Sequence, residues 1–164
     1  MSNIEESPHA PTPEGVGAAA EPLAGYLLDR RLILVVEDSA EDAEAIERAL
    51  NRSHPHLILE FTADGAGVAT RLEKANRLPG MILLDLNMPG MTGHEVLASL
   101  RSLPRLDAVA VVVFTSSTAS AEVDACYAAG ADSYIYKPVN FDLFRTVLKG
   151  AVDYWQAQIP QPPA

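Results

Sequence analysis

The stretch Met81-Ile82-Leu83-Leu84-Asp85-Leu86-Asn87-Met88-Pro89-Gly90 decides the fold. Four apolar residues in a row predict a short strand covered on both faces, and Pro-Gly ends it. An acid where a buried strand stops is costly unless it is paired or coordinates a metal. Asp85 therefore needs a chemical reason, and candidate partners stand at matching places elsewhere in the chain.

Outward from this stretch, strand and helix signals alternate. On the N-terminal side, Leu32 to Val36 is an unbroken apolar run, as expected for a strand in a parallel sheet. Ser39 opens a helix with Asp42 in its first turn, and Ala43, Ile46, Ala49 and Leu50 give it one apolar stripe. Leu57 to Phe61 predicts a second strand, and Ala66 to Ala75 a second helix anchored by Val68 and Leu72. Met81 to Leu84 is then the third strand. On the C-terminal side, Thr92 with Glu95 makes a capping box for a helix carrying Val96, Leu97 and Leu100. Ala108 to Phe114 predicts the fourth strand and Ala119 to Ala129 the fourth helix, with Gly130 placed for a left-handed cap. Ser133 to Tyr136 predicts a fifth strand, and Asn140 caps a last helix running to about Gln158.

Five strand–helix repeats predict an α/β fold, a doubly wound five-stranded parallel sheet with five helices. Such sheets bind ligands beyond the carboxyl ends of their strands. There the sequence places Glu37-Asp38 after strand one, Asp85 after strand three with Asn87 two beyond, Thr115 after strand four and Lys137-Pro138 after strand five. Each alone has an ordinary reading: an acid as a helix cap, Lys137 as a solvated lysine, Thr115 as a turn residue beside Ser116, Ser117 and Thr118. The whole set is much harder to obtain by chance. Three clustered carboxylates resist joint ionisation, and a hard divalent cation, best Mg²⁺, relieves the repulsion. Lys137 then offers a second positive contact to a phosphoryl group, Thr115 a hydrogen-bond donor, and Asp85 a nucleophile.

The chain has 164 residues, 48% of them hydrophobic, with 12 Lys and Arg against 22 Asp and Glu and a net charge of −10. Nucleic-acid phosphates and anionic lipid would repel it, so a protein partner is expected, with no nucleic acid and no membrane. No apolar stretch is long enough to span a bilayer, and the acidic, polar start is unlike a signal peptide. With a single cysteine, Cys126, expected to be buried on its helix, a cytoplasmic location is expected. Residues 1–28 carry Pro8, Pro11, Pro13, Pro22 and an alanine run, and are expected to be a disordered or loosely attached extension. Residues 29–158 form the domain, and 159–164 a short Pro-rich tail.

From about Arg31 to Gln158 the chain resembles the response-regulator receiver domain of two-component signalling, a fold of flavodoxin-like topology. The resemblance rests on Glu37-Asp38, Asp85, Asn87, Thr115 and Lys137-Pro138. It implies that Asp85 accepts a phosphoryl group from a histidine kinase. Asp38, Asp85 and the backbone carbonyl of Asn87 would hold Mg²⁺. Glu37 replaces the more usual Asp, and its longer arm reaches the metal through water or directly. The resemblance also implies a cis bond at Lys137-Pro138, and a switch in which Thr115 moves towards the phosphoryl group while the aromatic Tyr134 turns inward. It implies no enzyme in the ordinary sense, but a phosphoacceptor that takes part in its own phosphorylation and dephosphorylation. A narrower likeness, in Phe114-Thr115-Ser116-Ser117, Cys126-Tyr127, Tyr134-Ile135 and Tyr154-Trp155, is to stand-alone receivers that partner bacterial phytochrome kinases.

The last helix has one apolar stripe, Phe141, Phe144, Leu148, Ala151 and Trp155, expected on the sheet. Leu143, Val147 and Tyr154 form a second, expected to face a kinase or a second copy in a homodimer. His9, His54, His56 and His94 have no metal-ligand spacing and are expected at the surface. Two rivals remain. A phosphatase with an aspartate nucleophile places that residue after the first strand, and a flavin-binding module needs a Gly/Ser/Thr-rich loop where Glu37-Asp38 stands. A receiver-like module that is never phosphorylated is a form of the second rival.

Overall fold

The computed structural model describes residues 27–159. The elements run β1 (Leu27–Val36), α1 (Ala40–Ser53), β2 (Ile58–Thr62), α2 (Gly65–Lys74), β3 (Arg77–Leu84), α3 (Gly93–Arg101), a 3-10 turn at Pro104–Leu106, β4 (Ala110–Thr115), α4 (Ser120–Ala128), β5 (Ser133–Tyr136) and α5 (Phe141–Gln158). All strand pairings are parallel, in the order β2-β1-β3-β4-β5. The sheet is thus the doubly wound one that the sequence predicts.

Side chains alternate across a strand, so the central strands feed two cores. Leu34, Val36, Ile82, Leu84, Val111 and Val113 pack against α2, α3 and α4. Ile33, Val35, Met81, Leu83, Val112 and Phe114 pack against α1 and α5. Each fully buried aliphatic side chain contributes about 1.5–3 kcal/mol relative to exposure. The shared parallel direction points every strand's carboxyl end at one edge of the molecule.

The caps hold as the sequence predicts. Ser39, Thr92 and Asn140 accept hydrogen bonds from the backbone N–H groups of Asp42, Glu95 and Leu143. Gly130 has φ +101°, where a Cβ would be strained, and it follows the end of α4. Gly93 opens α3 against the end of β3, where a Cβ would lie 2.6 Å from the carbonyl oxygen of Asp85. That close approach anchors the loop after Asp85.

Three features differ from expectation. β1 and β3 extend back to Leu27 and Arg77, beyond the apolar runs. Asp29, Arg30, Arg31 and Pro79-Gly80 hide this extension, and the β1–β3 register shifts between Asp29 and Ile33 to accommodate it. In α5 the buried residues are Phe144, Leu148 and Val152, whereas Phe141 is 39% exposed and Trp155 half-buried, its indole N–H donating to Ser133. His54 is a correction: it is buried, not at the surface. It sits beyond the end of α1 and binds Ser53 Oγ at 2.7 Å and Asp153 of α5 at 2.6 Å. The packing of α1 on α5, which no local pattern reports, encloses it. His56 is exposed, His94 is half-buried, and Cys126 is fully buried. His9 and nearly all of the N-terminal extension and the tail lie outside the described residues. Leu27, Leu28 and the buried Ile159 are within them.

Candidate functional site

Each strand end delivers its side chain to the same edge. Glu37 and Asp38 follow β1, Asp85 follows β3, Thr115 ends β4 and Lys137 follows β5. Carboxylate oxygens of Glu37, Asp38 and Asp85 lie within 4.8 Å of one another. Lys137 Nζ is 2.9 Å from Glu37, 2.9 Å from Asp42 and 3.9 Å from Asp85. Thr115 is fully buried, and its hydroxyl accepts a hydrogen bond from the Asn87 side-chain amide at 3.1 Å. Asp85 itself accepts from the backbone N–H of Asn87.

Charge at this edge is out of balance. Burial pushes the Glu37 carboxyl up to about 7 from 4.5, against the Lys137 hydrogen bond and charge and the Ser39 N–H, and Asp85 adds to the rise. Burial works against the charge of Lys137, but hydrogen bonds to Asp42 and Glu37, with the Glu37 and Asp85 charges, raise its pKa above the ordinary lysine value. The ammonium is held charged, and a single cation does not satisfy four acids.

The donors are hard oxygens in a cluster short of positive charge, which suits Mg²⁺ or a similar ion. Asp38 is exposed and, among the described residues, makes no hydrogen bond, so its carboxylate is free to ligate. Glu37 is committed on both oxygens, one to Lys137 and one to the Ser39 N–H. Its contribution to a bound ion is therefore indirect unless those bonds are given up.

Asp42 is the member that sequence reasoning missed. By itself the sequence marks it only as an acid in the first turn of α1. The signal was its place one turn beyond Glu37-Asp38, which aims it back at the same edge. One expectation is corrected: the Lys137–Pro138 bond is trans, as is every peptide bond among the described residues. Trans is the intrinsic preference of an X–Pro bond by about 0.5–1 kcal/mol.

Tyr134 is half-buried against the α2–α4 side core, and its hydroxyl donates to the Ser117 carbonyl at 2.8 Å. Ser117 donates in turn to Glu122 of α4, and its N–H reaches the Thr115 hydroxyl at 3.5 Å. Leu143 and Tyr154 are each 57% exposed, and Val147 is half-buried.

Known proteins share this fold. The model of the response regulator receiver domain matches residues 33–149. The chain is 36% identical to a probable methanogenesis regulatory protein, FilR2, of Methanothrix harundinacea, over 77% of this chain and 84% of that one. It is 34% identical to the response regulator Rcp1 of Synechocystis sp., over 82% and 95%. A crystal structure of Mn²⁺-bound Rcp1 superposes with TM-score 0.72 at 30% identity, over 81% of this chain and 99% of that one. The phosphorylated cyanobacterial phytochrome response regulator RcpA gives 0.73 at 31% identity, with the same coverage. Receivers of this kind are phosphoryl acceptors that interact with sensor histidine kinases. With the fold and the matched span in agreement, this chain belongs to the response-regulator receiver domain family.

Proposed function

We propose that Asp85 is the phosphoacceptor of this receiver, and that a histidine kinase supplies the phosphoryl group. The observation that carries the reading is the convergence of Glu37, Asp38 and Asp85 within 4.8 Å, with Lys137 as their one ammonium. An Asp85 oxygen attacks the phosphorus of a phosphohistidine. The P–N bond breaks, and the leaving imidazole takes a proton. Lys137 stays charged and faces the incoming oxygens, and Thr115, whose hydroxyl oxygen accepts from Asn87 and Ser117, has its proton to donate to them. Asp38, Asp85 and the Asn87 carbonyl would hold Mg²⁺, which when bound screens the negative charge gathered at the phosphorus. Hydrolysis of the acyl phosphate at the same site returns Asp85 to its carboxylate.

Tyr134 and Thr115 are the switch pair of this reading. Ser117 touches both, so a shift of Thr115 reaches Tyr134 and α4 through one residue. The receiver spans roughly residues 29–158 and works in the cytoplasm, in keeping with one buried thiol and, among the described residues, no helix able to cross a membrane. Similarity to Rcp1 and RcpA supports a phytochrome kinase as the donor. Leu143, Val147 and Tyr154 offer an apolar strip on α5 for a second copy or the kinase. Leu143→Glu with Val147→Glu is expected to convert dimer to monomer in light scattering, and an unchanged mass would remove the dimer.

Incubation with Mg²⁺ and a small acyl phosphate, read by intact mass, tests the acceptor. One phosphoryl increment, absent in Asp85→Asn, is expected. Catalytic turnover of many phosphate esters would point to a phosphatase, and an increment retained in Asp85→Asn would overturn the assignment.

A further inference from the structure

In a chain of net charge −10, most cations are taken up by acids. Arg31 and Arg77 hold Asp29, Arg48 holds Glu44, Arg71 holds Glu60 and Arg101 holds Asp132. Arg52 and Arg145 are among the exceptions. Among the described residues neither pairs with a carboxylate, and Arg145 only stacks over the Phe141 ring at 5.8 Å. Arg52 lies in the last turn of α1, where the helix dipole favours it. Arg145 lies in the second turn of α5, where the dipole gives no such reward. Yet the two line one groove of about 220 Å³ between α1 and α5, together with Ala49, Ser53, Thr146 and Lys149. Lys149 adds a third cation, shared with Asp153 at 2.7 Å. This basic groove on an acidic molecule is suited to an anionic occupant.

The sequence supplies one. Residues 1–26 contain Glu5, Glu6, Glu14 and Glu21 and no Lys or Arg. We propose that this acidic N-terminal segment docks in the Arg52–Arg145–Lys149 groove of its own chain. An acidic partner from outside must approach a surface that repels it. The tethered segment meets the groove at an effective concentration in the millimolar range.

Reach is sufficient. Arg30 of β1 is joined to α5 by two hydrogen bonds with Gln156, its guanidinium donating to the Gln156 carbonyl and its own carbonyl accepting from the Gln156 amide. Leu27 is three strand residues from Arg30, about 10 Å. Lys149 is seven helix residues from Gln156, again about 10 Å. An extended chain spans about 3.3 Å per residue, so Glu14 covers this path and the step from strand to helix with slack, whereas Glu21 has no length to spare for that step. The docked segment covers the α1–α5 face, and a partner of that face must displace it.

Zero-length carbodiimide cross-linking of the full chain tests this, because it joins carboxylates to lysines in contact. The sequence has three lysines: Lys137 is buried, Lys149 lines the groove, and Lys74 is exposed at the end of α2 on the opposite helix layer. In a mixture of isotopically heavy and light protein, links from Glu14 or Glu21 to Lys149 within one copy are expected at low salt, several-fold above links to Lys74. They are expected to fall at least fivefold in Arg52→Ser/Arg145→Ser, and in about 1 M salt, where the screening length is about 3 Å. The double variant's retained phosphoryl incorporation shows that it is folded. Equal linking to Lys74 and Lys149, links indifferent to the double substitution, or links only between heavy and light copies would overturn the proposal.

Discussion

The two ends of the sheet both bury charge, and they do so in opposite ways. At the amino end, one acid meets two guanidiniums: Asp29 is bound by Arg77 and by Arg31, and both arginines remain about half in water. Burial works against the Asp29 charge, but the Arg31 N–H and the Arg77 and Arg31 guanidiniums outweigh it and hold the carboxyl below its ordinary range. At the carboxyl end, one ammonium meets Glu37, Asp42 and Asp85, with Asp38 beside them, and the Glu37 carboxyl is pushed up. A cluster whose acid is fully compensated serves the fold. One with a surplus of acids is prepared for a cation that arrives from solution.

The largest expected effect comes from removing the single cation at the carboxyl end. Lys137→Met should slow phosphoryl incorporation from a small acyl phosphate by about 10²–10³-fold, the scale for losing one charge-stabilising donor. It should also cost about 3–5 kcal/mol in urea unfolding without divalent ions, because a buried ion pair loses one partner. Mg²⁺ should return part of that stability. An unchanged rate would mean that Lys137 only offsets the acids.

pH offers a second way to sharpen the contrast. The folded pKa of Glu37, about 7, lies above its ordinary 4.5, so the native state binds the extra proton. Stability from this group is full below pH 4.5 and is lost as pH rises through 7. Asp29, with its lowered pKa, behaves in the reverse sense: its contribution is present above the ordinary 3.8 and is lost as acid protonates it. Denaturant midpoints measured between pH 5 and 8 in a chelator should therefore fall, and saturating Mg²⁺ should flatten the slope by favouring the ionised carboxylate. A slope indifferent to Mg²⁺ would separate Glu37 from the metal.

The smallest effect is expected at the amino end. Asp29→Asn keeps an acceptor for the Arg31 N–H and releases two arginines that already reach water. It should cost about 1 kcal/mol in the same unfolding assay and leave phosphoryl incorporation unchanged. A loss as large as that of Lys137→Met would erase the distinction between the two ends.

Sequence and structure agree where the signal is local. Runs such as Leu32–Val36 and Met81–Leu84 are continuous because both faces are covered, and Ser39, Thr92 and Asn140 announce their helices by chemistry that acts within one turn. The strand-end residues were legible because a parallel sheet sends every carboxyl end to one edge. What was not legible depends on contacts across the sequence. Asp42 meets Lys137 across 95 positions, and His54 meets Asp153 across 99. The extension of β1 carries the buried Asp29, whose partner Arg77 lies on another strand. Phe141 falls on the predicted stripe but opens α5, and its ring stacks on Phe144 and stays partly in water.

Anomalous diffraction from crystals soaked in Mn²⁺ tests the surplus-charge account most directly. The expected result is one strong peak within about 2.0–2.5 Å of the Asp38 and Asp85 carboxylates and the Asn87 carbonyl, with Lys137 still bound to Glu37. No peak at that edge, or an ion held elsewhere while Asp38 and Asp85 keep only water, would contradict it.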